Sequence, residues 1–494
     1  LKRATADYLW QSAATDDLWT GQWGLLRTYR DLQPDLQPLP GNPIFGNPNA
    51  PDHPVCPSNA PKRKYTVYAI TADGNLPDDK LVYNERFDLF DPDGILYVRA
   101  EHIDEVMKGK RRPEPLILRA NAGDCIEVTL INAFPDKMPK TPHWNFLPVI
   151  TERFNVNQVR SSNHASLHPQ LVEYDVTESD GANIGLNPVQ TVAPGETRTY
   201  RWFAGRWRLK NDPGPVQFPL QPSTPSSGPA EFEAIPVEYG AVALRDVADV
   251  VNHGMHGGIG ALIIEPVGAT WKTDEDTEAS ATVFYADSKG TQRKYREFVL
   301  LFQDEIGLHS NKEKFQCVDE NLNCGTALLT YGALEDPEES GHKGFNYRTE
   351  PLWARVGIPP ELALEVLNDI DQSQLLDSKD FGDPETPIFE ADEGDEVRFR
   401  IVQPSGHPRA AAFHLHGHEW QHDAWATGTD STVIGENVDS NIIGVQGTQG
   451  PMVHWNILPL YGAGGANKVR GDFLYRNQNS VQFPEGMWGI FRVK

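Results

Sequence analysis

The sequence predicts an all-β protein made of Greek-key β-sandwiches in tandem, and three observations carry that expectation. First, 39 Pro and 42 Gly are spread between short apolar runs, a turn-rich composition that suits strands better than helices. Second, the apolar runs alternate with polar residues at period two. Third, two distant segments share one pattern. Leu116 to Leu130, containing Ala122-Gly123-Asp124-Cys125-Ile126-Glu127-Val128, parallels Pro387 to Ile401, containing Glu393-Gly394-Asp395-Glu396-Val397-Arg398-Phe399. In each, a Gly-Asp turn feeds an alternating strand. A chain of 494 residues has room for roughly two to four such domains.

Taken in order, the chain opens with a piece that repeats at its other end. Asp7-Tyr8-Leu9-Trp10 and Gly21-Gln22-Trp23-Gly24-Leu25-Leu26-Arg27 match Asp472-Phe473-Leu474-Tyr475 and Gly486-Met487-Trp488-Gly489-Ile490-Phe491-Arg492, with the same Asp-to-Gly spacing. Residues 1–30 therefore read as the closing strands of a domain whose body lies upstream. A Pro/Asn/Gly-rich linker follows over 31–61. One β domain is expected over 62–271, closed by the apolar strand Gly260-Ala261-Leu262-Ile263-Ile264-Glu265-Pro266, and a second over 297–494. The best helix candidate is short, Pro359 to Leu376.

Net charge of -25 disfavours nucleic acid and acidic membrane surfaces as partners, while permitting a cationic substrate. No apolar run is long enough to cross a bilayer. The chain begins Leu1-Lys2-Arg3, without an initiator Met or a signal-like apolar region, and reads as a processed product, a fragment or a trimmed chain. Four cysteines allow three pairings. Cys317 and Cys324 lie close together in a polar loop and suggest a local disulfide. Cys56, in the linker, and Cys125, in an expected strand, can form a second. Such bridges imply an oxidising compartment. A copper thiolate would need a neighbouring histidine pair, and no cysteine has one nearby in sequence.

The segment richest in chemistry is Phe413-His414-Leu415-His416-Gly417-His418-Glu419-Trp420. On a strand its three histidines share a face, with Leu415 and Gly417 on the other, so adjacent ring nitrogens are offered to one metal or two. His253 and His256 can be ligands or loop groups bonded to backbone. His143 and His164 lack paired neighbours and read as ordinary polar residues. His422 can serve as an outer support that donates to Glu419 or Asp423. Met452-Val453-His454-Trp455 reads as core. The acidic runs around Asp369, Asp371 and Glu335 to Glu339 offer hard oxygen ligands but read first as solvated loops.

Phe-His-Leu-His-Gly-His at 413–418, the Gly-Asp strands and the Gly-Asp-Phe-Leu-Tyr…Gly-Met-Trp-Gly-Ile-Phe-Arg-Val ending resemble the cupredoxin domains of multicopper oxidases, most of all the large bacterial manganese-oxidase and ceruloplasmin-like type. Ser166-Leu167-His168-Pro169-Gln170 resembles a further His-x-His segment. The resemblance implies tandem cupredoxin-like sandwiches and copper as cofactor. It implies one-electron oxidation of a small donor, including a divalent metal ion such as manganese, with dioxygen as acceptor. It makes His414 and His416 metal ligands, with His418 and His168 as weaker candidates.

The family's thiolate strand is missing from the expected place, however. Arg476-Asn477-Gln478 stands there instead of His-Cys-His, Met487 keeps the axial position, Gln482 replaces one mononuclear-site histidine and Ala411 another. Gln11-Ser12-Ala13 is equally bare in the first repeat. Two readings follow: upstream domains or another chain complete the copper sites, or the domains persist as a copper-depleted scaffold or assembly subunit. A zinc or iron hydrolase remains an alternative for the histidine cluster. The expected location is secreted, periplasmic or cell-surface, with no transmembrane segment.

Overall fold

The structure, a computed structural model, describes residues 6–13, 18, 21–29, 35, 54–139, 160–210, 231–304 except 288, 306, 308–310, 327–328, 343–355, 371–406, 411–426, 431–479 and 483–494. The fold is all-β, and two sandwiches of mixed sheets dominate it. In the first, one sheet runs in the order Glu173–Tyr174, Thr197–Phe203, Cys125–Asn132, Lys62–Thr71, Ile95–Arg99. The opposing sheet runs Leu116–Asn121, Ile259–Glu265, Gly240–Arg245, His168–Pro169. In the second, Thr270–Thr273, Ser280–Ala286, Gln292–Gln303, Val397–Gln403 and Val453–Ile457 form one sheet. Ile388–Ala391, Trp488–Val493, Gly471–Asn477, Ala411–Leu415 and Val445–Gln449 form the other.

The connectivity repeats. Lys62–Thr71 lies parallel to Cys125–Asn132, as Gln292–Gln303 does to Val397–Gln403. Leu116–Asn121 lies parallel to Ile259–Glu265, as Ile388–Ala391 does to Trp488–Val493. Each Gly-Asp turn is built alike. Gly123 and Gly394 adopt φ of 91° and 78°, conformations that favour glycine, and the following aspartates accept from backbone N–H groups at Asn121 (3.0 Å) and Asp392 (3.3 Å). The strands then alternate as expected: Ile126, Val128 and Leu130 enter the first core while Glu127 and Thr129 face outward.

A third apolar cluster joins the sandwiches, with Ala241, Ala243, Ile259, Ala261 and Ile263 from the first against Val299, Leu301, Val402 and Met452 from the second. Beside it lies a buried charge network. Glu297 accepts from Arg119 (3.1 Å) and Arg400 (2.7 Å), and Tyr295 donates to Glu265 (2.6 Å). Burial opposes charge on Glu297, but Arg400 and Arg119 hold it down to about 2; Glu265, buried beside that carboxylate, is pushed up to about 8.

Cys56 and Cys125 form a disulfide, which ties the segment before the first sandwich to one of its central strands. Cys317 and Cys324 lie outside the described residues, as do most of the linker, His143, the Glu335 run and residues 359–370 of the helix candidate. The described end of that candidate is a single 3₁₀ turn, Gln372–Gln374. No helix among the described residues is long and apolar enough to cross a membrane. At the N-terminus, Ala6–Gln11 and Trp23–Thr28 form a two-stranded hairpin that bonds to the first sandwich through Asp7, at Leu186 and Asn187.

Candidate metal centre

His414 closes the strand Ala411–Leu415, whose neighbours are Val445–Gln449 on one side and Gly471–Asn477 on the other. His416 lies one residue beyond the strand but keeps its backbone bond, donating N–H to Leu474 O at 2.9 Å. The two imidazoles stand side by side, centroids 4.3 Å apart and planes 32° apart. His414 Nδ1 meets Gln478 Oε1 at 2.9 Å. Because an amide oxygen only accepts, Nδ1 carries the proton and Nε2 keeps its lone pair. His416 Nε2 is buried and has no hydrogen-bond partner among the described residues. Burial, then His414 and then Arg476 lower the proton affinity of His416, which keeps its ring neutral.

His418 does not join them, which corrects the expectation of three histidines on one face. Gly417 turns the chain with φ 71°, so the alternation ends at Leu415 and His418 swings into the second core. It packs on Phe473 and Phe491, at 4.8 and 5.6 Å between centroids. Its Nδ1 donates to His416 O (2.9 Å), and its Nε2 accepts the N–H of Gly464 (3.2 Å). Both ring nitrogens are thus committed to backbone, and His418 pins the turn that presents His416.

The position of the missing thiolate is closed. Asn477 is fully buried; its Oδ1 accepts from Ala412 N–H (3.0 Å) and Asn479 N–H (3.1 Å), and its Nδ2 donates to Met487 Sδ (3.4 Å). With an amide bonded on both ends, and Ala411 where an imidazole is required, these residues do not fit a mononuclear blue-copper centre. The His414–His416 pair does fit two nitrogen ligands of a metal, each with a lone pair to give and with Gln478 fixing one ring from behind.

His168 occupies the matching place in the first sandwich, on the edge strand beside Gly240–Arg245. Its Nδ1 donates to Asp180 O at 2.8 Å and lies 3.3 Å from the Asp180 carboxylate. Its would-be partner position holds Gln170. Sequence reasoning missed what stands across from these histidines: His414 pairs in register with Arg476, and His168 with Arg245. Both strands carry an arginine directly after the core residue that faces a glycine, Leu244 opposite Gly260 and Tyr475 opposite Gly489, and that shared position was the available signal.

Several other histidines among the described residues have structural partners. His253 lies within a short helix, Asn252–Met255, and His256 caps its end; each faces an aspartate: His253 Nδ1 to Asp246 at 3.0 Å, His256 Nδ1 to Asp91 at 2.8 Å. Burial disfavours their charge, but the carboxylates prevail and raise both to about 9. Asp93 also lies within 4.8 Å of the His256–Asp91 pair. His164 Nδ1 meets the Thr191 hydroxyl at 2.9 Å. His454, expected to be a satisfied core residue, instead has no partner for Nδ1 among the described residues and is pushed down to about 4 by burial. His422 lies against Trp455, 5.8 Å between centroids.

No family model and no curated protein matches the chain. Among solved structures it is similar to a multicopper oxidase at 14% identity over 88% of this chain and 89% of that one, TM-score 0.41. A copper nitrite reductase from Nitrosomonas europaea is also 14% identical, over 88% and 94%, TM-score 0.42. A blue copper oxidase from the same organism is 13% identical, over 87% and 86%, TM-score 0.38. Overlaps this loose say nothing about activity.

Proposed function

We propose that the chain is part of a multicopper-oxidase-like protein and lends the His414–His416 pair to a copper site completed by upstream domains or another chain. The observation that carries this reading is the pair itself: two rings 4.3 Å apart, one held from behind by Gln478, the other with a buried Nε2 lacking a partner. Repeated mixed sheets support the cupredoxin-like assignment of 62–271 and 297–494, with 31–61 as linker. The hairpin within 1–30 is then the closing piece of a further sandwich. Bound copper supplies one-electron transfer and dioxygen reduction. This chain's own residues hold and orient it: Gln478 fixes the His414 tautomer, His418 braces the turn under His416, and Arg476 disfavours protonation of His416. The donor is a small reductant, with a divalent metal ion such as manganese as the specific proposal. The Cys56–Cys125 bridge supports a secreted, periplasmic or cell-surface location.

A second reading, a copper-depleted scaffold, draws on one observation: the closed Asn477–Met487 contact. Copper content of the purified chain and of the largest form recoverable from its source separates the two. The first reading expects copper that His414→Ala and His416→Ala each remove. No copper in either form leaves the scaffold.

A further inference from the structure

We propose that Arg245 and His168, on the face where the two sandwiches meet, form a binding site for a small oxyanion. Arg245 is only 2% exposed, and among the described residues its Nε and Nη1 reach no acceptor. A buried guanidinium is costly unless an anion faces it. Among the described residues most other buried arginines obey that rule: Arg119 and Arg400 meet Glu297, Arg398 meets Glu238 at 2.9 Å, and Arg355 meets Glu350 at 2.9 Å, while the half-buried Arg348 donates instead to the Pro113 and Tyr347 carbonyls, at 2.9 Å each. Among the described residues the one favourable charge near Arg245 is its chain neighbour Asp246, whose oxygens are already taken by the Ser166 N–H, the Ala248 N–H, Tyr97 and His253.

The backbone says where the free N–H groups lie. Leu244 belongs to the first core, so Arg245 projects to the opposite face, beside its strand partner Ile259 and the cluster that joins the sandwiches. His168 is paired with Arg245 across the ladder, and paired residues share a face within about 5 Å. Asp180 engages His168 through Nδ1, leaving Nε2 to a ligand, and the ring is partly exposed, so the site opens to solvent on that side. A guanidinium presents a planar fork that matches an oxyanion and stays charged at any working pH. It repels a metal ion for the same reason. The His414–Arg476 pair repeats the arrangement, and among the described residues Arg476 Nε also lacks an acceptor. There, however, a second histidine is present and the guanidinium rests on Phe483, 4.6 Å from the ring centre. The inference for His168 does not depend on the copper reading of His414.

Thermal unfolding of the full chain, titrated with inorganic phosphate, tests the proposal. The wild-type midpoint should rise with phosphate concentration. Arg245→Met should raise the phosphate-free midpoint, because the lone buried charge is gone, and should abolish the phosphate response. Arg245→Lys should keep a weaker response, His168→Gln should reduce it, and Arg476→Met should leave it intact. An unresponsive wild type overturns the proposal, as does a phosphate-free midpoint lowered by Arg245→Met. Stabilisation by copper instead of phosphate, lost in His168→Gln, would also overturn it and return His168 to the metal ligands. Calorimetric titration of the wild type with phosphate is the independent check: a saturable heat of binding supports the proposal, and its absence overturns it.

Discussion

The hairpins at the two ends of the chain are nearly the same local object in different surroundings. In both, the opening aspartate pairs in register with the closing arginine, Asp7 with Arg27 and Asp472 with Arg492, and the side chains bond, at 2.6 and 2.8 Å for the shortest contacts. In both, an aromatic ring covers a glycine on the facing strand, Trp10 over Gly24 and Tyr475 over Gly489, so that a side chain at either glycine would collide with the ring. Yet Tyr475 and Phe491 are fully buried, while Trp10 is 60% and Leu26 62% exposed. The C-terminal hairpin has Ile388–Ala391 on one edge and Ala411–Leu415 on the other, and a second sheet over its face. Among the described residues the N-terminal hairpin has neither. Short-range sequence makes the hairpin; its neighbours give it a core, and they also place the His414–Arg476 pair.

The comparison is most exposed to failure in the apolar residues. Phe491→Ala and Tyr475→Ala should each cost about 3–5 kcal/mol in urea unfolding, whereas Leu26→Ala and Trp10→Ala should cost less than about 1 kcal/mol. Equal losses at the two ends would show that the N-terminal face is covered in solution. Next in size is Asn477→Ala, which strands the N–H groups of Ala412 and Asn479 and should cost roughly 1–3 kcal/mol. Asn477→Cys should give no blue colour with copper, since Ala411 supplies no imidazole.

Smaller effects follow for the ion pairs. Arg492→Met, at a largely solvated pair, should cost about 1 kcal/mol or less. Asp7→Asn should show itself by faster amide exchange at Leu186, because the Asp7 carboxylate accepts that N–H at 2.6 Å as well as holding Arg27. The smallest effect is with pH. Asp7 sits below its ordinary value, chiefly through the bond from Arg27 and then that from Leu186. Its contribution is therefore complete above the ordinary carboxylate value of 3.8 and is lost as pH falls through its lower folded value, so protection at Leu186 should fade only in that acid range. Protection lost well above 3.8 would sever the link to Asp7.

Much of this was legible beforehand because it is local. The Gly-Asp turns, the alternation of Cys125–Asn132 and the repeat of the terminal hairpins depend on neighbours a few residues away, where backbone sterics and period-two burial act directly. The candidate site was half legible. His414 and His416 share a side as strand geometry requires, but the alternation could not reveal that Gly417 ends it and sends His418 into the core. Nor could spacing show that Asn477 is locked to Met487, since that requires the chain to fold back between positions ten apart.

What the sequence determined by itself is the class of fold, the Gly-Asp turns and the strands they feed, and the presence of an asparagine instead of a cysteine at 477, all consequences of residue type and short-range order. Tertiary structure decided which side chains face one another. It set Arg245 beside His168 and Arg476 beside His414, left two buried guanidinium nitrogens of Arg245 without an acceptor among the described residues, and buried one hairpin while exposing the face of its twin. Sheet register and the docking of two sandwiches join residues far apart in the chain, and the charge and burial they produce are properties of the assembled fold.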